Sequence, residues 1–187
     1  GGPEGKPDGI INALDKTFIG NPIPDFLFGF TNQFSYKNFD LAIHMAGSVG
    51  ADIMDVSYQW TENIDGVFNV RKEIAERWRS LENPGKGNIP RSNSDPLHRF
   101  NNSRWIWDGT YLAVKNITFG YKIPVRGINY IRSARVYLSA QNAFIFTKYP
   151  GMNPEVSDSG LGGLREGVDQ ASYPVPRILT AGINVSF

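Results

Sequence analysis

The sequence predicts an all-β chain, a segment of a transmembrane antiparallel β-barrel, and three observations lead there. Several stretches alternate aromatic or aliphatic residues with small polar ones. Aromatic residues make up 13% of the 187 residues, yet mean hydropathy is only −0.30. Charges avoid the alternating stretches. A membrane barrel turns one face of each strand to hydrocarbon, so aromatic content rises while mean hydropathy stays low.

The first predicted strand, 26–36, sets Phe26, Phe28, Phe30, Phe34 and Tyr36 on one face and Leu27, Gly29, Thr31, Gln33 and Ser35 on the other. Lys37-Asn38 then suits a two-residue hairpin turn. The second strand, 39–47, alternates Phe39, Leu41, Ile43 and Met45 with Asp40, Ala42, His44 and Ala46. A long connection over 48–109 follows, with a helix expected at 70–81. In the third strand, 110–121, Leu112 and Val114 share one parity while Ile117, Phe119 and Tyr121 take the other. That switch predicts a bulge at Lys115-Asn116.

The fourth strand, 134–146, carries Val136, Leu138, Ala140, Phe144 and Phe146, with Asn142 breaking the pattern. After a second long connection, 147–177, the fifth strand, 178–187, alternates Leu179, Ala181, Ile183, Val185 and Phe187 with Thr180, Gly182, Asn184 and Ser186. An aromatic residue closing an amphipathic strand suits the bilayer interface.

These five segments cover under a third of the chain and hold only Asp40, Lys115 and Arg135. An even spread of the 19 basic and 18 acidic residues would place about eleven there. Loop lengths add a direction. Outer-membrane barrels have short periplasmic turns and long extracellular loops. Segments 1–25, 48–109 and 147–177 are therefore expected outside the cell, and 37–38 and 122–133 in the periplasm.

Five strands cannot close a barrel, and an open sheet edge in lipid leaves backbone groups unsatisfied at several kcal/mol each. Partner strands are expected from the rest of the same polypeptide, an expectation that fits the loop-like start at Gly1. No apolar run reaches the roughly 18 residues of a transmembrane helix. A net charge of +1 gives no nucleic-acid signature, and cysteine is absent.

No catalytic constellation is visible, so the chain is not expected to be an enzyme, and no cofactor or metal is expected. His44 and His98 lack partners at ligand spacing. Asp8 with Asp15, and Asp52 with Asp55, lack the dense alternate carboxylates of a calcium loop. Gly47-Ser48-Val49-Gly50 is followed by no Lys-Ser/Thr, so it is no phosphate loop. The formal sequons at Asn101 and Asn116 are set aside. Trp60, Trp105 and Trp107 are the candidate substrate-binding residues, since an aromatic face stacks on sugars or packs peptide side chains. The competing reading is that they pack the loop or anchor at the outer interface. Trp78, on the expected helix, is read as packing.

The motifs resemble one family in order. Ile19-Gly20-Asn21-Pro22-Ile23-Pro24-Asp25-Phe26, Tyr36-Lys37-Asn38-Phe39-Asp40-Leu41 and Arg77-Trp78 with Glu82-Asn83-Pro84-Gly85 and Ile89-Pro90-Arg91 come first. Asp108-Gly109-Thr110-Tyr111-Leu112 with Lys115-Asn116-Ile117-Thr118-Phe119-Gly120-Tyr121 follows. Gln141-Asn142-Ala143-Phe144 with Thr147-Lys148-Tyr149-Pro150-Gly151 and Asn153-Pro154-Glu155 comes next, and Tyr173-Pro174-Val175-Pro176-Arg177 completes the order. Together they resemble the end of SusC/RagA-type TonB-dependent outer-membrane transporters.

The resemblance implies about five C-terminal strands of a roughly 22-stranded, plugged barrel in the outer membrane of a Bacteroidetes-type Gram-negative bacterium. It implies import of oligosaccharides or peptides. The partners it implies are the rest of the barrel with its plug, a SusD-like surface lipoprotein lid, the TonB complex through an N-terminal region not in this chain, the barrel-assembly machinery and outer-membrane lipid. Phe187 becomes the expected barrel-assembly signal. A soluble carbohydrate-binding β-sandwich is the alternative.

Overall fold

The computed structural model describes residues 6, 8–10, 12–64, 69–91, 102–125, 127, 130–156 and 166–187. They form two compact units. One comprises Ile23–Ala51, Asp108–Glu155 and Tyr173–Phe187; the other comprises Gly1–Pro22, Asp52–Trp107 and Val156–Ser172.

The first unit is a five-stranded antiparallel sheet in the order β1-β2-β5-β6-β8. Its strands are β1 Phe26–Tyr36, β2 Phe39–Val49, β5 Tyr111–Ile123, β6 Ser133–Thr147 and β8 Ile178–Ser186. Several run a residue or two beyond the alternating pattern, because backbone pairing continues where the side chains stop alternating. A membrane-crossing strand needs about 9–11 tilted residues, and each of the five reaches that length.

β1 and β2 pair without slippage from Phe26↔Val49 to Tyr36↔Phe39, around a turn in which Lys37 takes φ 53. The expected bulge is present and widens across the sheet. His44 and Met45 face Asn116 and Val114, leaving Lys115 extra on β5. Val114 and Asn116 in turn face Phe144 and Gln141, which sets Asn142 and Ala143 against that single lysine.

Asn142 has φ 49 and donates its side-chain amide to the Pro176 carbonyl at 3.1 Å. Asparagine tolerates the left-handed region better than most residues. The residue that breaks the alternation is therefore the turning point of the bulge. One extra residue flips the parity of β5, whereas two preserve the parity of β6.

The second unit has a small sheet ordered β4-β3-β7, with β3 Asp52–Asp55, β4 Ile106–Asp108 and β7 Val168–Asp169. Strands of two to four residues carry too little alternation to read from sequence.

Asp55 accepts from the backbone and hydroxyl of Ser57 at 3.0 and 2.5 Å and so opens the single-turn helix α1, Tyr58–Thr61. Ile53, Tyr58, Ile74, Ile89 and Trp105 are buried. The helix expected over 70–81 does not form. A 3-10 turn covers only Lys72–Glu76. Beyond it, the amides of Trp78, Arg79 and Lys86 bond the carbonyls of Ile89, Asn83 and Glu76. These longer-range bonds replace the i→i−4 ladder that the apolar spacing suggested.

Candidate functional site

The chemistry of the five-stranded sheet lies in its two faces, read across the strands rung by rung. On one face the rungs are Phe30–Met45–Val114–Phe144, Asn32–Ile43–Ile117–Ala140–Leu179, Phe34–Leu41–Phe119–Leu138–Ala181 and Tyr36–Phe39–Tyr121–Val136–Ile183. Only Asn32 interrupts this apolar surface. Phe34 is 55% and Leu138 62% exposed, so water would meet a patch far larger than monomeric soluble proteins present.

Aromatic rings gather at both of its ends. Phe26 stacks on Phe28 at 5.8 Å between ring centres, and Phe144 on Phe146 at 6.3 Å. At the short-turn end, Phe39 meets Phe119 at 5.7 Å and Tyr121 at 4.8 Å. Two aromatic bands flanking an apolar belt are the pattern of a lipid-facing barrel wall.

The opposite face is polar. Its rungs are Thr31–His44–Asn116–Gln141–Ile178, Gln33–Ala42–Thr118–Ser139–Thr180 and Ser35–Asp40–Gly120–Tyr137–Gly182. Thr31 Oγ1 lies 2.9 Å from His44 Nδ1. The Ser139 hydroxyl donates to Asn116 Oδ1 at 2.9 Å and sits 3.1 Å from the Thr118 hydroxyl. Asp40 receives two bonds from Arg135, at 2.9 and 2.5 Å, a forked pairing suited to a planar guanidinium.

That pair spans β5, and Gly120 makes the crossing possible. A Cβ there would stand 2.3 Å from the Arg135 guanidinium. Gly182 likewise lies under the Tyr137 ring, where a Cβ would meet it at 2.5 Å. The two glycines let Arg135 and Tyr137 lie flat on the sheet. At the bulge, Lys115 pairs with Glu155, which ties the segment after β6 to the middle of β5.

The sequence-predicted residues fall in different places. Trp60, on α1, is 58% exposed. Trp105 is 2% exposed and forms part of the core of its unit, beside a cavity of about 20 Å³ shared with Tyr58, Glu62, Ile89 and Arg104. Burial removes it as a ligand contact. Trp107 is half-buried and tilted against Tyr58 at 6.0 Å, and that packing covers part of its ring. Arg71 lies over the Tyr58 ring at 4.7 Å. Burial pushes the Tyr58 phenol up, against the opposing pull of Arg71.

His44 is engaged on the polar face as described, while His98 and Asn101 lie outside the described residues. Asp8 and Asp15 accept from the backbone amides of Ile10 and Asn12 at 2.9 and 2.8 Å, and Asp52 from that of Asn21 at 2.8 Å. These carboxylates build turns. Among the described residues no group of three or more His, Cys, Asp or Glu could hold a metal ion. Phe187 is exposed, one residue beyond β8. Reading the strands singly missed the Asp40–Gly120–Arg135 crossing, since the three residues become neighbours only once register is set. The signal available in sequence was that two of the three strand charges are opposite in sign.

No protein-family profile matches this chain. Its sequence is 34% identical over 186 residues to the TonB-dependent receptor P26 of Formosa agariphila, covering 96% of this chain and 19% of that protein. It is 26% identical over 191 residues to the TonB-dependent receptor SusC of Bacteroides thetaiotaomicron, covering 96% of this chain and 17% of that protein. A solved structure of the RagAB peptide transporter superposes with TM-score 0.72 and 29% identity, covering 85% of this chain and 17% of that one. The chain therefore spans about a fifth of the length of the curated relatives it matches. None of these names is that of an enzyme.

Proposed function

Since this chain is, in sequence and fold, a barrel segment of the SusC/RagA-type TonB-dependent receptors, we propose that it forms part of the wall of an outer-membrane importer of oligosaccharides or peptides. The observation that carries the reading is the division of one sheet into a lipid-type face and a hydrogen-bonded polar face. Among the described residues, β1 and β8 each pair on one side only. Their free edges call for further strands in a hydrocarbon environment, supplied by the rest of the polypeptide.

In this reading the apolar face meets outer-membrane lipid and the polar face lines a lumen that holds the plug. The connections 48–109 and 147–177 lie outside the cell, and the ends at 37–38 and 122–133 reach the periplasm. A SusD-like surface lipoprotein covers the outer mouth, as the RagAB likeness suggests. The TonB complex acts through the part of the protein outside this chain. Trp60, 58% exposed, is the proposed ligand or lid contact, with half-buried Trp107 as a second candidate. Phe187 serves the barrel-assembly machinery as part of the terminal strand signal.

Uptake of defined glycan and peptide pools by cells lacking the full gene tests the transport reading. The expected result is loss of one cargo class, restored by the intact gene; unchanged uptake of every pool would overturn it. For Phe187, deletion in the full-length protein is expected to lower outer-membrane levels severalfold, and normal levels would remove the assembly role.

A further inference from the structure

We propose that residues 148–155 form an inward shelf, clamped by Lys115 to the polar face of the five-stranded sheet, that narrows the outer mouth of the lumen and limits the girth of the cargo admitted. Lys115 is the extra residue of the β5 bulge, and its ammonium pairs with the Glu155 carboxylate. The Tyr111 phenol donates a hydrogen bond to the same carboxylate. Tyr111 and Lys115 stand roughly 13 Å apart along β5, at about 3.3 Å per residue. A carboxylate held between them has come back over the strand. A segment that left β6 and stood away from the sheet would not reach both partners.

Register settles the side of the sheet. Tyr111 belongs to the rung Leu27–Ser48–Tyr111–Thr147, and the next rung on that face is Gly29–Ala46–Ala113–Ile145. On β2, which carries no extra residue, Ser48 and Ala46 share parity with His44, Ala42 and Asp40, the polar-face residues. Ser48, Ala113 and Ala143 are buried, as are Tyr149 and Asn153 of the returning segment, whereas Leu27 on β1 stays exposed. The cover therefore lies over β5 and the adjoining parts of β2 and β6. An irregular backbone is tolerated at membrane depth only against protein or water, which the polar side supplies and lipid does not.

The shelf is held at several points besides the clamp. The Tyr149 amide bonds the Thr147 hydroxyl at 3.1 Å, and that hydroxyl donates to the Thr110 carbonyl at 2.9 Å. A Cβ on Gly151 would meet the Tyr149 ring at 2.3 Å, so ring and backbone lie in contact. Asn153 Oδ1 accepts from the Glu155 amide at 3.0 Å, and its Nδ2 donates to the Glu155 carbonyl at 3.4 Å. Lys115 is thus a positioning residue: it acts on cargo through the segment it holds. The inference rests on the reading of this sheet as a barrel wall with a hydrated lumen.

The test is thiol labelling of the purified full-length protein in detergent, with a small maleimide and with one carried on a large polyethylene glycol, read as loss of the unmodified peptide. Met152→Cys reports on the shelf and Leu81→Cys on the outer connection, both exposed positions. The ratio of large-reagent to small-reagent rate is expected to be about tenfold lower at 152 than at 81. Glu155→Lys should raise the ratio at 152 severalfold, and Lys115→Glu with Glu155→Lys should lower it again. Equal ratios at the two positions, or a ratio that Glu155→Lys leaves unmoved, would overturn the shelf. In cells given the same glycan and peptide pools, Glu155→Lys should favour bulkier members of the transported class over slender ones; an equal fall for all members, or no change, would remove the role in cargo girth. Loss of heat-modifiable barrel mobility in the unsubstituted protein would sink the barrel reading itself, a result distinct from a folded barrel whose residue 152 takes the large reagent freely.

Discussion

Gly120 shows how much depends on a missing methyl group. With a side chain there, the Arg135 guanidinium must leave its path to Asp40. The guanidinium is the mobile end of a long side chain, so the bond yields before the sheet does. Gly120→Ala is expected to cost the full-length barrel ~1.5–3 kcal/mol, the range for a hydrogen bond to a charged group. The cost should disappear in an Arg135→Ala background, and a double-mutant cycle on unfolding in detergent checks this. The tryptophans separate by burial in the same way. Trp105→Ala opens a core and is expected to cost ~3–5 kcal/mol, seen as faster protease nicking within 52–107. Trp60→Ala should leave nicking unchanged and lower cargo uptake. Tyr58 supplies a pH signature. Its phenol titrates above the ordinary value of about 10 because it is buried. The unfolded chain therefore ionises first, and the stability that Tyr58 contributes is present below that pH and declines as pH rises through and beyond it. Nicking of the second unit should accelerate above about pH 10, and less so in Tyr58→Phe.

At the scale of elements, the widening bulge accounts for much of what the sequence showed and for what it hid. The parity switch at Lys115 was legible because a single extra residue moves every later side chain to the other face. Asn142 was not, because two extra residues restore the parity and leave only one misplaced residue as a trace. The paired use of Lys115 and Glu155 was visible as two separate motifs, but their contact depends on the bulge projecting Lys115 and on the turn after β6 returning Glu155. Reversing either charge alone is expected to loosen the segment around 148–155, and Lys115→Glu with Glu155→Lys should recover part of the loss, measured by hydrogen exchange there. Long strands were readable because alternation over nine or more residues is hard to produce by chance. The small sheet and the Lys72–Glu76 turn were not, because tertiary hydrogen bonds set them against the local pattern. The tryptophans show the same limit: the sequence offers Trp60, Trp105 and Trp107 alike as candidates, and only packing separates the exposed ring of Trp60 from the buried ring of Trp105.

For the molecule as a whole, the proposed barrel wall sets lipid against one face of the sheet and a hydrated lumen against the other, so adjacent residues on one strand report on both sides. Leu138 belongs to the apolar rung with Phe34, Leu41 and Phe119, while Ser139 bonds Asn116 on the polar face. The sequence contains no cysteine, so single cysteines at these positions add one spin label each to this segment. The most direct test is the collision accessibility of labels at Leu138→Cys and Ser139→Cys in the full-length protein reconstituted in bilayers. Label 138 is expected to collide preferentially with oxygen dissolved in lipid and label 139 with a water-soluble nickel chelate. Equal accessibility at the two positions, or the reverse order, would contradict it.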